Sequence, residues 1–224
     1  WIQSGRKEMS DKKSEIIICP PFVYLCELKN LKLGAQDVFW ENNGHYTGEI
    51  SPKMLKNLGV EYVIIGHSER RQHLNETDEM INKKVLAALK TGLKVILCVG
   101  ENLTIRKKGK KAIENFIKSQ LQKDLKNITT DYGLRTTNLI IAYEPIWAIG
   151  GNHSDTPQDA LEIIKFIKQA LNFQSLILNP RVLYGGSIDG KNIKNFLQYD
   201  EIDGFLIGHA SLKPKEIKNI IKSI

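Results

Sequence analysis

Short runs rich in β-branched residues recur along this 224-residue chain, each followed within a few residues by a longer segment of helical periodicity. Such alternation restricts the chain to α/β architectures built on a parallel sheet. The runs are Glu15 to Cys19, Lys32 to Val38, Tyr62 to His67, Lys94 to Gly100, Leu139 to Glu144, Arg181 to Gly185 and Gly204 to Gly208. Interiors such as Val63-Ile64-Ile65 and Val95-Ile96-Leu97 are apolar at every position, as expected of strands covered on both faces. Between them, Asp78 to Leu89, Ala112 to Ile128 and the segment opened by Thr156-Pro157-Gln158-Asp159 read as helices. The last offers an N-cap, a proline at the first helical position and an early acid. Its residues Leu161, Ile164, Phe166, Ile167 and Leu171 are expected on one buried face. No linker or shift of composition divides the sequence, so one domain over residues 1–224 is expected.

About seven such units fit a doubly wound open sheet or a (β/α)8 barrel short of one strand. The residues that follow the strands decide between them. Polar and glycine-rich signatures close nearly every run: Gly66-His67-Ser68-Glu69, Gly100-Glu101, Glu144-Pro145, Gly185-Gly186-Ser187 and Gly208-His209. An open sheet gathers its ligand groups at one switch point, whereas a ring of strands brings many C-terminal ends to one centre. The barrel is the better fit.

With 42% hydrophobic and 25% charged residues the chain is neither disordered nor fibrous. No apolar run approaches the roughly 18 residues of a membrane span, and Trp1 to Lys13 has no signal-peptide pattern, so no membrane partner and a cytoplasmic location are expected. Three cysteines, Cys19, Cys26 and Cys98, in no metal-like spacing, fit a reducing compartment. The formal charge of +7 is spread over outer helix faces. Its densest cluster, Arg106 to Lys111, lacks interleaved aromatics to stack on bases and reads as a solvated loop, so no nucleic-acid partner is expected.

Glu144 closes an apolar strand, and Pro145 keeps it out of the helical region, so its carboxylate is aimed rather than free. Residues Ile146 to Gly151 are apolar where a surface loop should be polar, which suits a lid that closes over substrate and excludes water. His67 closes another strand. Ser68 reads as the N-cap of a short helix beginning at Glu69, whose positive end favours a neutral imidazole able to donate to a substrate oxygen. A base and an acid at two strand ends point to proton transfer on a small carbonyl compound. The glycine-rich closures Tyr184-Gly185-Gly186-Ser187 and Gly208-His209 stand where barrels build phosphate sites from main-chain N–H groups, although tight turns use Gly-Gly pairs equally.

Taken in order, Gly34-Ala35-Gln36-Asp37, Gly44 to Ser51, Gly66-His67-Ser68-Glu69-Arg70-Arg71, Glu76-Thr77-Asp78-Glu79, Cys98-Val99-Gly100-Glu101, Ala142 to Gly150, Tyr184-Gly185-Gly186-Ser187 and Gly208 to Leu212 resemble the motif series of the triosephosphate isomerases. The resemblance runs from about Cys19 to the end. It implies a (β/α)8 TIM barrel that interconverts dihydroxyacetone phosphate and glyceraldehyde 3-phosphate through an enediolate, without metal or organic cofactor. It implies Glu144 as the base, His67 as the group that polarises the carbonyl and serves the enediolate oxygens, and Glu69 as a further catalytic residue. The amides of Gly150, Ser187, Gly208 and His209 would hold the phosphate. The loop Trp40 to Ser51 would insert into a second copy of the chain and present Thr47 near its site, making a homodimer.

Three departures from the family pattern stand out. The family opens with a strand ending in Asn-x-Lys. Here Ile2 takes the lysine's place if Trp1 is the middle residue, while Lys7, Lys12 and Lys13 lie in a different context. The expectation is a barrel lacking, or carrying an altered, first β/α unit. Losing one preorganised group of this kind lowers the rate by roughly 10² to 10³, and the alternative is a family member that binds phosphate ligands without efficient catalysis. Gly151-Asn152-His153-Ser154 replaces the usual Thr-Gly-Lys after the lid, and His209 stands where a second glycine is usual.

Overall fold

The structure, a computed structural model, describes residues 2–3, 14–28, 30–128, 138–149, 155–173 and 179–224. The strands are β1 (Ile2–Gln3), β2 (Glu15–Ile16), β3 (Gly34–Ala35), β4 (Tyr62–Ile65), β5 (Lys94–Val99), β6 (Leu139–Tyr143), β7 (Arg181–Tyr184) and β8 (Gly204–Phe205). They form one sheet in the order β2-β1-β8-β7-β6-β5-β4-β3. From β3 to β8 each strand is parallel to the next. β1 is antiparallel to both its neighbours, β2 and β8. A parallel bridge between Ile18, just past β2, and Leu33, just before β3, joins the two ends of that order, so the strands close into the ring of an α/β barrel. Lys7, Lys12 and Lys13 lie outside the described residues.

Helices follow the strands: α1 (Pro52–Asn57), α2 (Ser68–His73), α3 (Asp78–Lys90), α4 (Leu103–Arg106), α5 (Lys110–Asp124), α6 (Pro157–Phe173), α7 (Ile193–Leu197) and α8 (Pro214–Ser223). None among the described residues is long and apolar enough to cross a membrane.

Alternation along each strand sorts its side chains into two cores, because successive residues point to opposite faces. Val63, Ile65, Val95, Leu97, Ile141, Val182 and Phe205 pack outward with the helices. Tyr62, Ile64, Ile96, Cys98, Ile140, Ala142, Leu183 and Leu206 fill a second, separate core inside the ring. Both phases are buried, which is why these runs are apolar at every position. On α6 the buried face is Ala160, Ile163, Ile164, Ile167 and Leu171, with Leu161 and Phe166 only half-buried beside it. Burying each such aliphatic side chain contributes roughly 1.5–3 kcal/mol.

Several expected boundaries shift for local reasons. The run expected over Lys32 to Val38 keeps only the Leu33 bridge and β3, since Asp37 leaves the ladder to meet the buried Lys84 ammonium at 2.8 Å. The run over Gly204 to Gly208 pairs only in β8. The helix expected over Ala112 to Ile128 spans Lys110 to Asp124, and Asn127 then takes a left-handed φ of 61°. Arg106 to Lys111 is not a solvated loop: Arg106 ends α4, Lys110 begins α5, and both side chains are ion-paired to α6.

Candidate active site

Glu144 continues the inward phase of β6 one step beyond Ile140 and Ala142, and the ring places it over the inner core. Its N–H donates to Val99 O at 2.8 Å and the Gly185 N–H to Tyr143 O at 2.8 Å, so β5 and β7 clamp the strand end on both sides. Room for it comes from glycines. A Cβ on Gly100 would lie 2.5 Å from the Glu144 carbonyl carbon, and one on Gly185 would lie 2.9 Å from Glu144 Cγ.

His67 reaches the same place from β4. Gly66 turns the chain with φ of +73°, a conformation open chiefly to glycine, and a Cβ there would meet the Arg71 guanidinium. His67, rather than the expected Ser68, caps α2: its Nδ1 accepts from the Glu69 N–H at 3.3 Å. An imidazole nitrogen can take this role as a hydroxyl does, and it has two consequences. With Nδ1 as acceptor, the neutral ring carries its proton on Nε2. The Ser68 N–H is left to donate to Glu144 Oε2 at 3.0 Å.

His67 Nε2 lies 3.1 Å from Glu144 Oε1. The contact is close but poorly aligned, so Oε1, though buried, has no hydrogen-bond partner among the described residues. Glu144 is 2% exposed. Burial pushes its carboxyl above the ordinary glutamate range, against the opposing pull of His67, the Ser68 amide and the Cys98 thiol. A desolvated carboxylate with a free oxygen beside an N–H donor is equipped to take a proton from carbon while the donor stabilises charge on an adjoining oxygen.

Two further networks hold this pair. Arg71, from α2, donates to Gly66 O at 2.7 Å and Cys98 O at 3.0 Å, and pairs with Asp78 at 2.8 Å and Asp124 at 2.7 Å. It ties the turn that carries His67 to the strand that carries Cys98. On the other side, buried Glu101 accepts from Trp147 Nε1 at 2.8 Å and from the Tyr143 hydroxyl at 3.2 Å. Arg106 stacks over the Trp147 ring at 4.7 Å and pairs with Asp155 at 3.3 Å and Asp159 at 2.6 Å.

Of the residues expected to be catalytic, His67 and Glu144 meet through their side chains, while Glu69 touches His67 chiefly through its backbone N–H. Glu69 turns to solvent, its side chain 72% exposed and its Oε2 3.9 Å from His67 Nδ1, and it makes no hydrogen bond or ion pair with Glu144. Ser187 is half-buried beyond β7, its carbonyl accepting from Asn192 at 2.9 Å. Gly208 and His209 are exposed, with His209 opening a 3-10 turn beyond β8. These two turns leave neighbouring strands. Gly150 and the rest of residues 150–154 lie outside the described residues. Thr47 sits in the exposed stretch 41–49, beside the packed rings of Phe39, Trp40 and Tyr46. Cys98, Arg71, Arg106 and the Ser68 amide were not singled out from the sequence. For Cys98 a signal existed, since Ile96, Cys98 and Gly100 share the inward phase that ends at Glu144's neighbour.

A family model described as triosephosphate isomerase matches residues 1–224. A triosephosphate isomerase from Thermoanaerobacter sp. (strain X514) is 47% identical over 223 residues, covering 96% of this chain and 88% of that protein. Those of Caldanaerobacter subterraneus subsp. tengcongensis and Dictyoglomus turgidum are each 46% identical, covering 95% and 97% of this chain and 88% and 90% of their own lengths.

Proposed function

This chain belongs to the triosephosphate isomerase family and is an isomerase of triose phosphates, and we propose that Glu144 and His67 are the base and acid with which it interconverts dihydroxyacetone phosphate and glyceraldehyde 3-phosphate. The observation that carries this assignment is the buried Glu144 Oε1, without a hydrogen-bond partner among the described residues and 3.1 Å from His67 Nε2. Oε1 takes a proton from the carbon beside the substrate carbonyl, and the Nε2–H donates to the carbonyl oxygen as it gains charge. In the resulting enediolate the hydroxyl proton passes from one oxygen to the other by way of His67 Nε2, and Glu144 returns its proton to the carbon that bore the carbonyl, so that the carbonyl forms on the neighbouring carbon. This glutamate and histidine pairing is the standard worked example for triosephosphate isomerases. The Ser68 amide on Oε2 leaves Oε1 as the reacting atom.

In this reading the main-chain N–H groups of Ser187, Gly208 and His209, with Gly150, hold the phosphate, an assignment favoured by their succession of turns on neighbouring strand ends. Glu69 acts at the rim of the site rather than on the reacting carbons. One barrel domain spans residues 1–224, and the chain works as a homodimer in the cytoplasm, in glycolysis and gluconeogenesis. The exposed loop bearing Thr47, with Tyr46 46% exposed, and the three free cysteines support the dimer and the reducing location.

The test is a coupled assay in both directions on the parent, Glu144→Gln and His67→Gln. Losses of about 10² to 10⁴ in kcat for each are expected. A variant within tenfold of the parent overturns its residue's role.

A further inference from the structure

Behind the active site, one guanidinium faces three carboxylates. Arg106, at the end of α4, lies 3.3 Å from Asp155 Oδ1 and 2.6 Å from Asp159 Oδ2, and Glu101 adds a third negative group to the same cluster. Glu101 and Asp155 are 0% and 2% exposed. Two buried carboxylates and a third at the rim, set against a single cation among the described residues, are cheapest with one proton retained, because each uncompensated buried charge costs several kcal/mol. The structure marks where that proton goes. Asp155 Oδ1 accepts from the Thr156 N–H at 3.0 Å and faces Arg106, whereas Oδ2 is buried with no hydrogen-bond partner among the described residues.

The cluster connects to the base through Trp147. That indole donates to Glu101 at 2.8 Å, lies under the Arg106 guanidinium at 4.7 Å and belongs to the 3-10 turn Ile146–Ala148 that directly follows Glu144-Pro145. The turn is also held by the Ile146 N–H donating to Glu101 O at 3.1 Å. Arg106 therefore has three attachments, the Trp147 face and, through the one nitrogen Nη2, both Asp159 and Asp155. Its long 3.3 Å approach to Asp155 and short 2.6 Å approach to Asp159 match a protonated Asp155.

We propose that Asp155 is a positioning residue for the isomerase reaction: by gaining or losing a proton it releases or draws Arg106, which moves Trp147 and the turn that aims Glu144. Burial pushes Asp155 up to about 7, opposed first by Arg106 and reinforced by Asp159 and Glu101, so the exchange falls near neutrality. The titratable and charged groups facing it are Arg106 from α4, Glu101 beyond β5, Tyr143 from β6, Tyr184 from β7 and Asp159 from α6, which Asp155 precedes. Raising the pH deprotonates Asp155, pulls Arg106 toward it and loosens the stack on Trp147.

The proposal deepens the isomerase reading and rests on it for its kinetic half, so the first readout is independent of turnover. In the full chain carrying Trp1→Phe and Trp40→Phe, Trp147 is the remaining indole, and its fluorescence is titrated across neutral pH. A transition centred near 7 is expected, and Asp155→Asn, which keeps the shape and loses the charge, should abolish it. The parallel readout is kcat against pH: about a tenfold change across the transition in the parent, less than about twofold in Asp155→Asn, with KM moving less than kcat. Arg106→Met should also remove the transition, and it decides the matter if Asp155→Asn does not fold. Absence of any Trp147 transition in the parent, or its persistence in a folded Asp155→Asn or Arg106→Met chain, overturns the proposal. Absence of isomerase activity with the transition intact instead counts against the catalytic assignment alone.

Discussion

Gly100→Ala isolates the effect of aiming the base from the effect of removing it. A Cβ at this position would sit 2.5 Å from the Glu144 carbonyl carbon and 3.2 Å from its nitrogen, and closer still to the carbonyl oxygen. Ordinary contact begins near 3.4 Å, so the carbonyl carbon has to retreat by about 0.9 Å. It has little freedom to do so, because the Glu144 N–H is bonded to Val99 O and the next strand is bonded to Tyr143 O, each at 2.8 Å. Overpacking of this kind costs about 1–3 kcal/mol of stability. Misplacing a catalytic group by about 1 Å costs about 10² in rate, or roughly 2.7 kcal/mol of barrier. The variant should therefore remain folded at moderate temperature, with kcat reduced about a hundredfold and KM changed less than about threefold. Urea denaturation and the coupled isomerase assay measure the two effects separately. Gly59→Ala is the control: its Cβ meets nothing within 4 Å, but its φ of +83° is strained for alanine, so it should lose about 1 kcal/mol of stability and no activity. A folded Gly100→Ala chain with kcat within about threefold of the parent would show that the strand contact does not aim the carboxylate.

Other perturbations follow from the same contacts. Because burial raises Glu144 above its ordinary pKa of 4.5, the native state holds that proton more tightly than the unfolded chain, and the stability this confers is lost as pH rises through the raised value. Glu144→Gln removes that loss, so it should melt a few degrees above the parent at neutral pH while the gain fades toward pH 4.5, and a melting temperature no higher than the parent's at neutral pH contradicts this. The Cys98 thiol opposes the rise by hydrogen bonding the carboxylate. In Cys98→Ala the acid limb of kcat/KM should move to higher pH with the alkaline plateau within a few-fold of the parent; an unmoved limb means the thiol does not tune the base. Lys84 is 3% exposed and bridges Asp37 and Glu76, so Lys84→Met leaves these two buried carboxylates sharing the Arg70 guanidinium and should cost about 3 kcal/mol in urea denaturation. Lys83→Met, which breaks an exposed pair with Glu79 at 3.3 Å and a cation–π approach to the Trp40 ring at 5.8 Å, should cost less than about 1 kcal/mol, and equal costs refute the burial argument.

The ring, the helices and the strand ends that carry Glu144 and His67, the proposed base and acid, were legible because each rests on local pattern. Val63-Ile64-Ile65 announces a strand covered on both faces, Thr156 with Pro157 announces the start of α6, and Glu144-Pro145 fixes an extended strand end. What escaped depends on three-dimensional partners. Arg106 looks like one more residue of a basic run, and only the approach of α6 and of Trp147 shows that it is held. His67 and Ser68 exchanged roles at the helix start because both can accept a backbone N–H, and the outcome was decided by Glu144, 76 residues away, claiming the Ser68 amide. Arg71 could be read as a surface residue of a short helix, whereas its four acceptors come from β4's end, β5, α3 and α5.

At Glu144 the inward phase of the barrel, apolar through Ile140 and Ala142, breaks its own rule. Ile140 and Ala142 are followed by an acid in a position built for an apolar side chain, and burial makes that acid costly to ionise. A lysine or arginine salt bridge to it would lower the cost but also lower its basicity and occupy the oxygen that must take the proton. The observed solution leaves Oε1 without a hydrogen-bond partner among the described residues, gives Oε2 the Ser68 amide, and places Arg71 on the carbonyls of Gly66 and Cys98 rather than on the carboxylate. Rigidity is supplied by backbone contacts through Gly100 and Gly185 instead of by charge. Position and basicity of the base are thus controlled by separate residues, so Gly100→Ala should alter kcat without moving the acid limb, and Cys98→Ala should move the limb without altering the plateau. If either substitution changes both quantities together, aim and basicity are coupled, and the separation inferred from these contacts fails.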